Sequence, residues 1–241
     1  MSMELVPAID LLGGRVVRLR QGDYADVTVY AEDAVAEAAR FRDAGAARLH
    51  VVDLEGARGG PLQLELVERI VRSTSLRVQV GGGIRSAAIA RRWLDVGADR
   101  VVVGTAVVRE PEWVRALAGE VGARVVAALD ARDGEVRVGG WLEGTGRPVR
   151  YVARECDGWG VGAILFTDIG RDGTGNGPAV EATAALQAEL RCDVIASGGI
   201  GTLEHLRALA RAGVRAAVCG RALYDGAFDY ASGVRAIAEV A

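Results

Sequence analysis

Residues 78–85 read Val-Gln-Val-Gly-Gly-Gly-Ile-Arg, and residues 194–201 read Val-Ile-Ala-Ser-Gly-Gly-Ile-Gly. Each stretch is an apolar run that ends in a glycine pair and leads into a helical pattern. The second stretch lies 116 residues after the first, and the same offset separates Gly104-Thr105-Ala106 from Gly220-Arg221-Ala222. The chain therefore reads as two related halves.

The paired glycines suggest what the halves bind. A glycine pair at a strand-to-helix junction lets backbone N–H groups approach a phosphate at the N-terminus of the helix. Gly82 and Gly83 form such a pair in the first half, and Gly198 and Gly199 form one in the second. The residues after the next strand complete the two predicted phosphate sites: Gly104, Thr105, Gly220 and Arg221. Two matching sites predict a ligand with a phosphate at each end.

Short apolar runs alternate with longer amphipathic segments along the chain. The runs predict strands at about residues 4–9, 48–53, 76–80, 100–104, 124–129, 162–167, 193–197 and 215–219. Helical patterns between them include residues 33–44, 86–96 and 202–212. Their ends are marked by N-caps and by glycines just past the last turn: Ser86, Thr202, Gly45, Gly97 and Gly213.

Eight such units favour a closed architecture. Continuous apolar strands separated by helices indicate a parallel sheet covered on both faces. With the twofold similarity, they predict an α/β fold, a single (β/α)8 TIM barrel with half-barrels at about residues 1–120 and 121–241. An open doubly wound sheet remains the alternative on periodicity alone. No proline- or serine-rich linker separates the halves, so we expect one domain over residues 1–241.

The composition argues against several classes of function. A net charge of −3 argues against nucleic-acid or anionic-membrane surfaces, and no apolar run approaches the roughly 20 residues that span a bilayer. Three widely spaced cysteines and no signal-peptide pattern predict a cytoplasmic protein. The two histidines are too few for a histidine-rich metal site, and the chain contains no lysine for Schiff-base chemistry. We expect His50 to be satisfied within its strand and His205 to be solvated.

Aspartates stand at the predicted strand ends, where the βα loops of a barrel build its active site. Asp10, Asp53 and Asp130 end the first, second and fifth strands. Asp168 and Asp172 lie at the end of the sixth strand and in its loop. A single aspartate of this kind is commonly a helix cap or a loop bridge. Asp10 is the clearest exception, because Leu-Leu-Gly-Gly follows it rather than a helix that it could cap.

The available side chains limit the chemistry. Carboxylates without metal ligands, lysine or an activated Ser or Cys serve best as a general acid and a general base. One on each face of a bound sugar phosphate could open its ring, move a proton and form a ketone. The residues alone therefore predict a proton-transfer enzyme that uses no metal or cofactor and acts on a substrate with two phosphates.

An ordered series of motifs carries the interpretation further. The motifs are residues 7–11 (Pro-Ala-Ile-Asp-Leu), 17–19 (Val-Arg-Leu), 21–24 (Gln-Gly-Asp-Tyr), 50–57 (His-Val-Val-Asp-Leu-Glu-Gly-Ala), 81–85 (Gly-Gly-Gly-Ile-Arg), 104–106, 128–130 (Ala-Leu-Asp), 167–169 (Thr-Asp-Ile), 171–174 (Arg-Asp-Gly-Thr), 197–200 and 220–224. From about residue 4 to residue 228 they resemble the HisA family, the phosphoribosylformimino-5-aminoimidazole carboxamide ribotide isomerases of histidine biosynthesis.

The resemblance implies an Amadori rearrangement, in which an aminoaldose becomes an aminoketose. It implies that Asp10 is the base that takes the C2 proton and that Asp172 is the acid that opens the ribose ring. Asp130 matches a third family aspartate that orients the substrate or shares in proton transfer. The other implied substrate contacts are Arg18, Thr167 beside the reacting sugar, and Trp141 on the imidazole. Asp172 should then have a raised pKa once substrate excludes water from its mobile loop, while Asp10 stays ionised.

The implied partner is a bis-phosphorylated ribotide, without nucleic acid or membrane, and we expect a monomer. Two departures from the family pattern stand out. Gly175-Asn176-Gly177 replaces a bulky apolar residue after the Asp-Gly-Thr motif, which predicts a more flexible loop beside Asp172. Gly139 stands where relatives often carry a basic residue.

Three alternative functions share features of the sequence with this interpretation. The cyclase subunit of imidazole glycerol phosphate synthase usually begins with a Cys-Leu-Asp strand and a lysine-bearing segment, whereas this chain has Pro7-Ala8-Ile9-Asp10 and no lysine. A bifunctional isomerase that also accepts phosphoribosylanthranilate typically has serine where Gly81 stands. A phosphate-binding barrel without activity would have lost the acid or the base, yet Asp10 and Asp172 are both present.

Overall fold

The computed structural model describes residues 2–20 and 23–240. Its elements, in chain order, are β1 (Glu4–Leu12), β2 (Arg15–Arg20), β3 (Asp23–Ala31), α1 (Ala34–Asp43), β4 (Arg48–Asp53), α2 (Leu54–Ala57), α3 (Leu64–Thr74), β5 (Arg77–Gly81), α4 (Ala87–Asp95), β6 (Arg100–Val103), α5 (Thr105–Arg109), α6 (Pro111–Val121), β7 (Val125–Arg132), β8 (Glu135–Val138), β9 (Glu143–Pro148), α7 (Val149–Trp159), β10 (Ala163–Asp168), α8 (Val180–Glu189), β11 (Asp193–Ser197), α9 (Leu203–Arg211), β12 (Ala216–Cys219), α10 (Arg221–Tyr224) and α11 (Tyr230–Ala238).

Eight parallel strands in the described part of the chain close into a barrel. Their order is β1-β4-β5-β6-β7-β10-β11-β12, and β12 pairs back onto β1. The closing register joins Glu4 to Ala216 and Pro7 to Cys219. The predicted (β/α)8 barrel is therefore confirmed, and the open sheet is ruled out. The twofold origin of the halves and the single-domain organisation stay predictions.

The helix boundaries follow from local chemistry, as predicted. The hydroxyl of Ser86 accepts a hydrogen bond from the Ile89 N–H at 3.3 Å, and Thr202 does the same for the third residue after it. The residues after the last turn adopt left-handed backbone, with φ of 96° at Gly45, 98° at Gly97 and 77° at Gly213. Glycine tolerates this conformation best, so each helix ends where the sequence indicates.

The core has two layers. A small inner cluster fills the barrel and includes Val6, Ala8, Val126 and Leu165. A larger outer cluster lies between the strands and the surrounding helices, where Phe41 and Trp93 are fully buried. Strands buried on both faces explain the continuous apolar runs in the sequence.

Two antiparallel hairpins at the barrel mouth were not predicted. β1 runs on to Leu12 and pairs with β2, which in turn pairs with β3. β7 runs on to Arg132 and pairs with β8, which pairs with β9. Their turns, Gly13-Gly14 and Asp133-Gly134, have φ values of 59°, 78°, 53° and 77°. Such dipeptides with two positive φ angles are typical of tight hairpin turns, so the signal was present in the sequence.

Within the residues that the structure describes, no helix is long and apolar enough to cross a bilayer. Gln21 and Gly22 of the Gln-Gly-Asp-Tyr motif lie outside the described residues.

Candidate active site

The predicted acid and base groups lie at the carboxyl ends of the parallel strands. Asp10 is on β1 and Asp130 is on β7, four strands apart in the eight-strand order. Thr167, on β10, pairs in register with Asp130 and with Ser197. Asp172 follows β10 in its βα loop, and the charges of Asp10 and Asp130 both influence its pKa. The barrel thus brings these side chains to one mouth.

Asp10 is held by an arginine that comes from the first hairpin. Because β2 folds back onto β1, Asp10 pairs in register with Val17, and Arg18 lies beside it. The Arg18 Nη1 donates to Asp10 Oδ2 at 2.9 Å, and only 14% of the Asp10 side chain is exposed. Burial raises the pKa of Asp10, while the charge and hydrogen bond of Arg18 oppose that rise. The result is a buried carboxylate with more proton affinity than an exposed one and a fixed cationic partner.

Arg18 is itself packed tightly. Its Nη2 donates to the Ala8 carbonyl at 2.5 Å, and its guanidinium carbon lies 5.3 Å from the centroid of the Tyr224 ring. Gly220 lies directly against it, because a Cβ built on Gly220 would be 2.2 Å from Nη2. Among the residues that the structure describes, none makes a hydrogen bond with the buried Arg18 Nε. Gly220 therefore makes room for the side chain that fixes Asp10.

Gly220→Ala should displace Arg18 from Asp10. A flexible side chain can move away from the new methyl group, so we expect the variant to fold and kcat to fall about tenfold with loss of this charge-assisted hydrogen bond. Gly104→Ala is the matched control: Gly104 has φ −102° and ψ −98°, against −114° and −92° at Gly220, and its Cβ would meet Ala128 at 3.9 Å. Steady-state kinetics check this, and equal kcat losses in both variants would contradict it.

Asp130 is bound by two neighbours. The Trp141 indole N–H donates to Asp130 Oδ2 at 2.8 Å. Burial raises the pKa of Asp130, and hydrogen bonds from Trp141 and Thr167 oppose the rise. Trp141 has a φ of 73°, unusual for a bulky residue, and it follows Gly139 and Gly140, with φ of 63° and 68°. The indole N–H is thus directed to a carboxylate at the end of a barrel strand.

Asp172 lies in a βα loop that is bonded to the neighbouring strand end. The Asp172 N–H donates to the Asp168 carbonyl at 3.1 Å, and the Gly177 N–H donates to the Gly199 carbonyl at 2.9 Å. Arg171 Nη1 donates to the Gly177 carbonyl at 3.2 Å. Burial raises the pKa of Asp172 to about 6; Arg18 lowers it, and Asp10 and Asp130 raise it further. The expected rise in the pKa is therefore present in the unliganded fold.

The Asp172 pKa gives a prediction about stability. Below the ordinary pKa of about 3.8 the group is protonated in both the folded and the unfolded chain, so it carries no penalty there. As the pH rises through about 6, the fold must hold an ionised group that its environment disfavours. Asp172→Asn should therefore increase the free energy of unfolding by about 1–2 kcal/mol at pH 8 and much less at pH 4. Urea unfolding at both pH values measures this, and an equal difference at both would contradict it.

The two predicted phosphate sites share a backbone conformation. The φ angles are 103° and 68° at Gly82 and Gly83, and 85° and 78° at Gly198 and Gly199. The glycines also pack on the preceding loop: a Cβ on Gly82 would be 2.1 Å from the Asp53 carbonyl oxygen, and one on Gly199 would be 2.3 Å from the Gly177 carbonyl oxygen. Glycine is therefore required by loop packing as well as by any approach of a phosphate.

The residues after β6 and β12 are also placed at this mouth. Gly104 and Gly220 immediately precede α5 and α10. The Thr105 hydroxyl accepts a hydrogen bond from the Gly139 N–H at 3.2 Å. The Arg221 guanidinium donates to Asp225 and to the Gly173 carbonyl, so this side chain is bonded to its own helix and to the loop after β10.

Two of the five strand-end aspartates serve the loops instead. Asp53 is fully buried and accepts hydrogen bonds from the N–H groups of Gly56 and Gln63, both at 3.0 Å. Asp168 accepts one from the Gly170 N–H at 3.0 Å and lies 3.4 Å from Arg171. Both follow the common role of a strand-end carboxylate, which sequence alone could not separate from that of Asp172.

The two histidines differ from each other. His50 is buried and its Nδ1 lies 3.0 Å from Gln79 Nε2, which confirms a satisfied strand histidine; burial lowers its pKa to about 4, and Arg18 adds to this. The expectation of a merely solvated His205 was wrong, because its Nδ1 accepts a hydrogen bond from the Gly201 N–H at 3.1 Å.

In residues 2–20 and 23–240, no group of three or more His, Cys, Asp or Glu side chains could hold a metal ion.

The chain is similar to known proteins over nearly its whole length. The family described as "Histidine biosynthesis protein" matches residues 4–229. A protein of Sorangium cellulosum is 54% identical over 239 residues, 97% of this chain and 99% of its own. Proteins of Dinoroseobacter shibae and Synechococcus elongatus are 47% and 45% identical, over 98% of this chain and 100% and 93% of theirs. All three are named 1-(5-phosphoribosyl)-5-((5-phosphoribosylamino)methylideneamino) imidazole-4-carboxamide isomerase.

Proposed function

The chain belongs to the histidine biosynthesis protein family, and we propose how its barrel performs the isomerisation for which its relatives are named. It is an aldose–ketose isomerase of histidine biosynthesis, the phosphoribosylformimino-5-aminoimidazole carboxamide ribotide isomerase. The reaction converts an N-linked aldose phosphate into the corresponding ketose. Our proposal concerns the groups that move the protons and hold the substrate.

One observation carries the proposed mechanism: two buried carboxyl groups at one mouth are set for opposite tasks. Burial raises the pKa of Asp10 too, but its carboxylate lies 2.9 Å from the Arg18 guanidinium, whose charge and hydrogen bond favour the ionised form. Asp172 has a pKa of about 6 and holds its proton at higher pH than an ordinary aspartic acid. Groups whose environments differ in this way are suited to base and acid roles respectively.

Ring opening needs an acid. The Asp172 carboxyl donates its proton to the ring oxygen of the ribose while the C1–O bond breaks, and the attached nitrogen, which keeps its N–H, forms a protonated imine at C1. Asp172 leaves this step ionised. Asp172 can alternate between its protonated and ionised forms near neutral pH because its pKa lies close to that range.

Proton transfer at carbon needs a base. Asp10 takes the proton from C2, which gives an enolamine, and the same carboxyl can return a proton to C1. Loss of the enol O–H proton to ionised Asp172 forms the C2 ketone and restores the acid. Both groups then regain their starting forms, so the isomerisation requires no net proton, metal or redox cofactor. We propose that Asp130, which accepts the Trp141 hydrogen bond on Oδ2, binds the open-chain sugar.

The phosphates are proposed to bind at opposite sides of the mouth. Backbone N–H groups near Gly83 and Gly104 would hold one, and those near Gly199 and Gly220 would hold the other. Helices α5 and α10 begin directly after Gly104 and Gly220, and the N-terminus of a helix favours anions. We further propose a monomeric, cytoplasmic enzyme whose partner is this small bis-phosphorylated ribotide, without nucleic acid or membrane.

The test is a pair of assays on the purified protein. We expect turnover of the histidine-pathway ribotide, with the aminoketose identified by mass and by NMR of the sugar carbons. Phosphoribosylanthranilate in the second assay measures whether the barrel is also bifunctional. No conversion of the ribotide by folded protein would refute the assignment.

A further inference from the structure

Three side chains outside the proposed reaction form a continuous bridge at the rim of the mouth. The Tyr30 hydroxyl donates to Asp225 Oδ1 at 2.6 Å, and the Arg221 Nε donates to Asp225 Oδ2 at 2.8 Å. The Arg221 Nη1 then donates to the Gly173 carbonyl at 2.9 Å. The Asp225 carboxylate thus uses one oxygen for each partner, and we call this set the Tyr30–Asp225–Arg221 bridge.

The bridge connects the two segments that control the acid and the base. Tyr30 is on β3, in the hairpin whose β2 supplies Arg18 to Asp10. Gly173 directly follows Asp172 in the loop after β10. Arg221 and Asp225 come from α10 and its C-terminal end. The bridge therefore joins the first, sixth and eighth βα loops of the barrel.

Aromatic packing holds the hairpin end of the bridge in place. The Tyr30 and Tyr224 rings have centroids 4.9 Å apart, and Tyr224 also lies beneath the Arg18 guanidinium. The Tyr224 hydroxyl donates to the Ala8 carbonyl at 3.1 Å, the same carbonyl that Arg18 contacts. A displacement of Tyr30 would consequently change the position of Arg18 as well as that of Asp225.

We propose that Tyr30, Asp225 and Arg221 are positioning residues that couple the hairpin carrying Arg18 to the loop carrying Asp172. The inference rests on the proposed function, in which Arg18 serves the base and Asp172 is the acid. Through the bridge, the two segments adopt their working positions together. None of the three residues touches the reacting atoms in this assignment.

The exposure of the bridge suits a reversible contact. The Arg221 side chain is 55% exposed and that of Asp225 is 41% exposed. Exposed ion pairs are individually weak, so this bridge can align two segments without holding them shut against substrate entry and product release. Its effect is expected to be a moderate bias between arrangements rather than a large gain in stability.

The first measurement is kinetic. Tyr30→Phe removes only the donated hydroxyl, Asp225→Asn removes the charge, and Arg221→Gln removes the contact to Gly173. We expect each to lower kcat about three- to tenfold with KM changed less than about twofold, and the Tyr30→Phe/Arg221→Gln double variant to be no worse than about the poorer single variant. Arg91→Gln is the control, since it breaks a similarly exposed pair with Glu120 on the outside of the barrel.

The second measurement does not depend on activity. Amide hydrogen exchange of the unliganded protein should become faster at residues 172–177 in Tyr30→Phe, although the substitution lies in another loop, and should stay unchanged there in Arg91→Gln. Unaltered exchange with unaltered kcat in Tyr30→Phe would overturn the coupling. The coupling would also be overturned if Arg221→Gln changed only KM while Tyr30→Phe changed neither kcat nor KM. That result would mean that Arg221 binds a phosphate directly. An inactive wild type with coupled exchange would refute the proposed function but support the coupling.

Discussion

Asp10→Asn should lower kcat for the ribotide by about 10²–10⁴ while KM changes little, because it removes the proton acceptor and keeps the shape of the side chain. The amide oxygen of Asn can still accept the hydrogen bond that Arg18 donates at 2.9 Å, so Arg18 should stay in place. Substrate binding is preserved, and the loss falls on the step in which C2 is deprotonated. Steady-state kinetics, with exchange of the C2 hydrogen against solvent deuterium, measures both quantities.

A matched substitution shows whether the loss is specific. Asp168→Asn changes another strand-end aspartate, and its amide oxygen can keep the hydrogen bond from the Gly170 N–H. The variant loses an exposed contact with Arg171 at 3.4 Å, so we expect kcat within about threefold of wild type. If Asp10→Asn retained more than about a tenth of wild-type kcat, Asp10 would not be the base.

Asp172→Asn should lose most of its activity on the cyclic substrate and recover part of it on an open-chain one. The amide cannot protonate the ring oxygen, so ring opening should slow by about 10²–10⁴. An open-chain analogue without the ring-forming hydroxyl bypasses that step, so the kcat of Asp172→Asn should be at least about tenfold higher on it than on the cyclic substrate. The same analogue should not rescue Asp10→Asn, because C2 must still be deprotonated.

The pH dependence gives an independent check on Asp172. The acid must be protonated in the free enzyme, so kcat/KM should fall as the pH rises through about 6. In the pH profile of kcat, this alkaline decline should lie at higher pH than in that of kcat/KM, because a bound substrate excludes water and adds negative charge near the carboxyl. Loss of the alkaline limb in Asp172→Asn is expected, and equal failure of Asp10→Asn and Asp172→Asn on the open-chain analogue would show that the roles are assigned wrongly.

Much of the fold was predictable because its signals are local. The strand at 193–197 and the caps Ser86 and Thr202 follow from apolar runs and from side chains that bond backbone groups three residues away. The hairpins were missed even though Asp133-Gly134 is a strong turn signal, because none of their added strands carries a long apolar run. β1 and β7 consequently extend three residues beyond their predicted ends.

The candidate site was only partly predictable. The aspartates at strand ends could be found in the sequence, and family resemblance singled out Asp10, Asp130 and Asp172. Nothing local distinguishes Asp172 from Asp53, since both stand at or just after a strand end. Asp53 is satisfied by N–H groups of its own loop, whereas burial and two neighbouring carboxylates raise the pKa of Asp172.

The sequence by itself determined the alternating strands and helices, the positions of the paired glycines, and the kinds of chemistry that its side chains allow. Those properties depend on backbone periodicity and residue type, which are set by residues close together in the chain. Only the closed barrel decided which side chains meet. β12 pairs with β1, so Gly220 lies against Arg18 and Asp225 reaches Tyr30 across 195 residues of chain. Proton affinity in turn depends on burial and neighbouring charge, and both exist only after the strands have closed.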